Sequence, residues 1–71
     1  MANKKGGDKM DDYQERVIEE KKQLDDKLNK LRAFNRSRTV DITGDERERL
    51  ARQEYIMLLY AQVLNERIRA F

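Results

Sequence analysis

Apolar residues recur with heptad spacing in two long stretches of this chain, and this repeat constrains the fold more than any other feature. The first stretch places the repeat at Val17, Leu24, Leu28 and Leu31. The second stretch continues it at six further positions: Leu50, Met57, Ala61, Leu64, Ile68 and Phe71. Spacings of three and four residues put one apolar stripe on a helix, so the pattern predicts two amphipathic helices that pack together.

Both predicted helices begin with a capping signal. Asp12 is followed three residues later by Glu15, and Thr43 is followed three residues later by Glu46. This spacing is typical of a capping box, in which each side chain bonds the backbone N–H of the other residue. The sequence therefore predicts Asp12 and Thr43 as the two N-caps.

A single all-α domain is predicted over residues 12–71, folded as an antiparallel two-helix hairpin. Its helices are predicted over 12–34 and 44–70, with a connecting loop over 35–43 that lacks helical periodicity. Residues 1–11 contain a Gly-Gly pair and three lysines, so we expect a disordered tail there.

Composition narrows the function classes. The 71 residues include no His, Cys, Pro or Trp, which excludes disulfides, thiolate zinc sites and Cys or His nucleophiles. No phosphate-cradling glycine motif is present, and no constellation of catalytic residues stands out. We expect a protein that is not an enzyme and has no cofactor or metal.

No apolar run approaches the roughly 20 residues of a membrane span, and no signal peptide opens the chain. A cytoplasmic protein with no membrane partner is therefore expected.

The segment YIMLLYAQVL, residues 55–64, is apolar nearly all round the predicted second helix. A hairpin partner covers only one stripe of such a helix, so the rest is expected to pack against further copies. The sequence predicts a homo-oligomeric helical bundle, with a two-fold dimer as the smallest closed form and higher rings also open. The predicted interface residues are Tyr55, Ile56, Met57, Leu59, Tyr60, Val63 and Leu64.

The near-neutral net charge of +2 conceals a basic segment at the hairpin tip. Residues 27–40 carry five basic and no acidic side chains, whereas the other 57 residues carry a net charge of −3. Arginine and a helix N-terminus both favour phosphate. The predicted ligand-binding residues are Lys30, Arg32, Phe34, Arg36, Ser37, Arg38, Thr39 and Thr43.

Two alternatives stay open: a solvated cap balanced by nearby acids, and a groove between subunits that recruits Arg67 or Tyr60. The arginines at 47, 49 and 52 are expected on a salt-bridged outer face.

Three patterns carry a resemblance to a known group of proteins. They are RVIxEK from Arg16 to Lys21, LxxKLxKLxxF from Leu24 to Phe34, and VLxxRIxxF ending at Phe71. Over roughly residues 12–71 the chain resembles short phage accessory proteins of helical-hairpin type, related to a protein of crAss-like phages. The resemblance implies a viral origin and a non-enzymatic, oligomeric accessory role, and it implies no ligand.

At the level of fold alone, the chain is similar to phage anti-defence sponges that sequester nucleotide signals of bacterial immunity, such as anti-CBASS and anti-Thoeris proteins. One functional hypothesis is therefore that a homo-oligomer in the host bacterial cytoplasm binds a cyclic nucleotide or an ADP-ribose-type ligand. The alternative is an inhibitor that docks on a host defence or regulatory protein. A weak nucleic-acid binder is a second alternative, although the chain shows no basic face across the whole domain.

Overall fold

The computed structural model describes residues 11–37 and 40–71, and these form two helices with no strand among them. Helix α1 spans Asp12–Arg36 and helix α2 spans Gly44–Arg69. The two helices pack against each other as an antiparallel hairpin. The all-α hairpin predicted from the heptad repeat is thus confirmed.

The start of α1 differs by one residue from the prediction. Asp11, and not Asp12, is the N-cap. Its backbone N–H donates to Gln14 Oε1 at 3.2 Å, and its carbonyl oxygen accepts from the Gln14 N–H at 2.9 Å. The shift leaves Asp12 and Glu15 inside the first turn, where the helix dipole stabilises carboxylates. The capping prediction at Asp12 was therefore wrong, because two adjacent aspartates offer the same local signal.

The start of α2 follows the predicted cap. Thr43 is the N-cap, and its Oγ1 accepts a hydrogen bond from the backbone N–H of Glu46 at 3.1 Å. The Glu46 carboxylate accepts from Arg49 Nε at 2.9 Å, so it supports the outer surface of the first turns. The N-cap at Thr43 is confirmed.

The helix ends lie close to the predicted positions. α1 continues to Arg36, two residues beyond the predicted end, and Ser37 follows as its C-cap. α2 ends at Arg69, where Ala70 donates its backbone N–H to the last turn. The tail predicted over residues 1–11 falls largely outside the described residues, which begin with the Asp11 cap.

The hairpin core is small and comes from the heptad stripes of both helices. Among the residues that the structure describes, five hydrophobic ones are buried: Val17, Leu24, Leu28, Ala61 and Leu64. Met57 and Ile68 pack against them and are partly buried. At the open end of the hairpin, the rings of Tyr13 and Phe71 meet edge to face with centroids 5.8 Å apart. The heptad residues predicted on α2 therefore face α1.

Candidate functional site

The predicted ligand site lies at the loop end of the hairpin, where α1 ends and α2 begins. The structure describes six of the eight predicted residues: Lys30, Arg32, Phe34, Arg36, Ser37 and Thr43. Arg38 and Thr39, the other two, lie outside the described residues. Five of the six lie on the last two turns of α1 or at its C-cap, and Thr43 caps α2. The hairpin thus brings both helix ends to one end of the molecule.

Two of the predicted cations have carboxylate partners. Lys30 Nζ lies 3.1 Å from Asp26 Oδ2 on the exposed surface of α1. Arg32 Nε lies 3.6 Å from Glu54 Oε2, and both side chains of this pair are about one-third exposed. Because each charge is partly compensated, these two residues attract a phosphate less strongly than the number of basic residues in the sequence implies.

Of the three predicted cations that the structure describes, Arg36 is the one left uncompensated. It is exposed at the last position of α1, and it forms no ion pair with any other residue that the structure describes. Next to it, the Ser37 backbone N–H donates to the Phe34 carbonyl oxygen at 3.1 Å. The Phe34 ring is 38% exposed on the same turn, so a flat group has room to stack on it. The tip therefore presents a guanidinium and an aromatic ring on different sides of the last turn of α1.

Two residues at the start of α2, the N-cap Thr43 and Arg47, hold the end of the loop in place. Thr43 Oγ1 caps the helix by accepting from Glu46, so its lone pairs are partly used in structure. Arg47 Nη2 donates to the Val40 carbonyl oxygen at 2.9 Å and ties the end of the loop to α2. The prediction of a salt-bridged outer face is wrong for Arg47, because its part-buried guanidinium bonds this carbonyl. A cation near the start of a helix opposes the dipole, and this hydrogen bond offsets that cost.

Asn35 and Glu54 form a polar contact between the helices that the sequence interpretation missed. Asn35 Nδ2 donates to Glu54 Oε1 at 2.9 Å and to the Leu50 carbonyl oxygen at 3.3 Å. Asn35 takes the next heptad position after Leu31, and Glu54 lies between Leu50 and Met57 in the repeat of α2. Polar residues in such a seam set the register of two helices. The heptad positions themselves were the signal that would have found this pair.

A polar groove runs along one side of the seam, away from the predicted tip. Its volume is about 420 Å³. Three amide side chains line it, together with two cations, one aspartate and three apolar residues: Asn29, Gln62, Asn65, Lys21, Arg32, Asp25, Leu28, Leu58 and Ala61. Of these nine residues, only Arg32 had been predicted in the ligand site. Volumes of roughly 300–1,000 Å³ are usual for small-molecule sites.

The residues predicted at the oligomer interface divide into two sets. Leu64 is buried and Met57 is partly buried, and both belong to the core of the hairpin itself. The other five lie on the outer surface of α2 and are between 42% and 63% exposed: Tyr55, Ile56, Leu59, Tyr60 and Val63. We call these five residues the α2 stripe. A contiguous apolar surface of this kind usually marks an interaction site.

Among residues 11–37 and 40–71, no group of three or more acidic side chains is placed to hold a metal ion. Within the same residues, neither helix is long and apolar enough to cross a membrane.

The fold and its surfaces define a small all-α hairpin with an exposed arginine at its loop end and a polar groove along its seam. A family model described as Sequestin matches residues 11–70, which include both helices and the loop. The chain belongs to the Sequestin family. Neither the curated proteins nor the solved structures that were compared with it include a match. The origin in crAss-like phages, which the sequence resemblance implied, stays a prediction.

Proposed function

We propose that this protein is a non-enzymatic sequestering protein that binds a phosphate-containing nucleotide signal tightly and releases it unchanged. The observation that carries the proposal is the family match over residues 11–70, since the family's name refers to sequestration. A cyclic nucleotide or an ADP-ribose-type molecule is the proposed ligand. The proposed setting is phage infection, with the protein acting against immune signalling in the host bacterial cytoplasm.

The side chains at the tip favour binding of a phosphate group there. Arg36 presents an exposed guanidinium whose planar fork can donate two parallel hydrogen bonds to phosphate oxygens. Phe34 offers an exposed aromatic surface at the same end of α1. Arg38 and Thr39, although outside the described residues, follow directly in the chain and keep their proposed role as phosphate ligands.

Titration calorimetry with cyclic dinucleotides, cyclic trinucleotides and ADP-ribose derivatives tests this proposal. We expect at least one ligand to bind, and we expect Arg36→Glu to reduce its affinity by about tenfold or more, as for a hydrogen bond to a charged group. Lys22→Glu is the matched control, because Lys22 is exposed and lies about 21 Å along α1 from Arg36. The absence of binding for every ligand would refute sequestration of nucleotides.

We also propose that the protein acts as a homo-oligomer, a dimer or a larger ring, assembled through the α2 stripe. Five buried hydrophobic residues form a small core for a hairpin of this length. Chains of about 70 residues usually need a staple or a partner to be stable, and this chain has no cysteine. Burying the α2 stripe against a second copy would supply the missing apolar contact.

Multi-angle light scattering tests the oligomer directly. We expect a mass of at least twice the 8.5 kDa of one chain. Ile56→Glu places a charge at the most exposed member of the α2 stripe and is expected to lower the mass. Gln23→Glu adds the same charge to the exposed surface of α1 and is expected to leave the mass unchanged. A mass of about one chain for the wild type would contradict assembly.

The α2 stripe also supports the second candidate function, which is inhibition of a host defence or regulatory protein by direct contact. In that case the stripe would stay exposed in the isolated protein and would be buried only in the complex. A monomeric wild type that binds no nucleotide would favour this alternative. Ile56→Glu would then weaken the complex with the host protein, whereas Arg36→Glu would not.

A further inference from the structure

The groove along the seam contains three side-chain amides that have no partner within the described part of the chain. Asn29 projects from α1, and Gln62 and Asn65 project from α2. No hydrogen bond links any of them to another described residue. Each amide carries both donors and an acceptor, so each can form hydrogen bonds with the edge of a molecule that lies in the groove.

The floor of the groove is apolar. Leu28 and Ala61 are buried members of the hairpin core, and their outer atoms line the groove together with Leu58. A groove with an apolar floor and convergent polar groups suits a flat ring whose faces are apolar and whose edges form hydrogen bonds. Asparagine and glutamine are also the side chains that most often read the edge of adenine.

Each charged residue of the groove has an ion-pair partner. Lys21 Nζ lies 2.6 Å from Asp25 Oδ2, and Arg32 is paired with Glu54. The groove therefore offers little net positive charge to a phosphate, in contrast to the tip. A neutral heterocycle suits such a surface better than an anion does, because no charge has to be moved away from its partner.

We propose that the groove between α1 and α2 holds the base of a nucleotide whose phosphate binds at Arg36. This inference rests on the proposed function and adds to it a separate site that determines which base is accepted. Asn29 and Arg36 are seven residues apart on α1, or about 10 Å along the helix axis. One nucleotide spans this length from the edge of its base to its phosphate.

Affinity measurements with ligands that do or do not carry a base test the inference. The probes are the four nucleoside 5′-monophosphates and ribose 5-phosphate, titrated into the full chain by calorimetry. Double substitution of Asn29→Leu and Gln62→Leu removes two amides while keeping side chains of similar size. We expect it to weaken the preferred monophosphate by about 5-fold to 150-fold, the range for one good base contact. The affinity for ribose 5-phosphate is expected to stay unchanged.

The variants separate this inference from the proposed function. If Arg36→Glu abolishes binding while the double variant binds every monophosphate as the wild type does, the groove assignment is wrong and sequestration stands. An equal loss for ribose 5-phosphate would also overturn the groove assignment, because the substitutions would then act through the fold. If the wild type binds no monophosphate, the groove assignment fails, whereas sequestration is decided separately by the titrations with cyclic nucleotides and ADP-ribose derivatives.

A second measurement tests the groove without relying on phosphate binding. A ¹⁵N-correlated NMR spectrum follows the side-chain amides of Asn29, Gln62 and Asn65, and adenosine at millimolar concentration serves as the probe. We expect these signals to shift while the exposed amide of Gln23, which is bonded to Glu19, does not. Equal shifts for Gln23, or no shift in the groove, would overturn the inference.

Discussion

Leu64 is the residue on which the stability of the hairpin depends most directly. Its side chain is 1% exposed and is the most deeply buried one that the structure describes. It packs within a cluster that also contains Val17, Leu24 and Ala61. Leu64→Ala removes atoms from the centre of this cluster, and two straight helices have little freedom to close the cavity that is left.

The expected cost of this substitution is large compared with the stability of so small a domain. Leucine-to-alanine changes at buried sites cost about 2.7–5.0 kcal/mol. At about 0.05–0.15 kcal/mol per residue, a chain of 71 residues is expected to have only about 4–11 kcal/mol of total stability. With a urea dependence of about 1 kcal/mol per molar, the unfolding midpoint should fall by about 3 M. A wild type of low stability would lose its folded state altogether.

Urea unfolding followed by circular dichroism at 222 nm measures this effect, with every sample at the same protein concentration because assembly would shift the midpoint. Leu64→Met is the matched control, since it keeps the volume and should cost less than about 1.5 kcal/mol. Equal midpoints for Leu64→Ala and Leu64→Met would refute the packing argument. That result would mean that the helices do not meet at Leu64 as the structure shows.

Three further predictions concern the contacts at the loop end, each measured by the same unfolding assay. Asn35→Ala removes the bonds to α2, one of them to Glu54, and should destabilise the hairpin by about 1–3 kcal/mol; a change below that range would contradict the seam contact. Thr43→Ala removes the cap on the Glu46 N–H and should cost about 1 kcal/mol, whereas Thr43→Ser should restore most of it. Gly44→Ala should stabilise the protein by about 0.4–1 kcal/mol, because the added Cβ meets no atom within 4 Å; destabilisation would show hidden strain there.

The helices could be predicted because their signals are local. Heptad spacing and an N-cap threonine act over one or two turns, and the core of Leu24 and Leu64 follows from them. The one-residue error at Asp11 arose because neighbouring aspartates have equal capping ability. Local patterns thus place a helix well and its exact first residue less well.

The site could be predicted only in part, because contacts between helices depend on their register. Arg32 and Glu54 are 22 residues apart in sequence, and only the packed hairpin brings them within 3.6 Å. The groove depends on the same register, since residues of α1 such as Asn29 and residues of α2 such as Gln62 line one groove only when both helices are aligned. A count of charges along the chain contains no information about such pairs.

The distribution of charge at the tip shows why register matters for function. The sequence places five cations in residues 27–40, which would make a strongly basic surface if all were free. In the folded hairpin, Lys30 and Arg32 face carboxylates, so of the three predicted cations that the structure describes only Arg36 keeps its full attraction for an anion. An uncompensated Arg36 beyond a groove whose cations are paired favours a ligand with a phosphate at one end and an uncharged ring at the other. A long polyanion such as a nucleic acid would need a continuous basic surface, and the paired residues of α1 do not supply one.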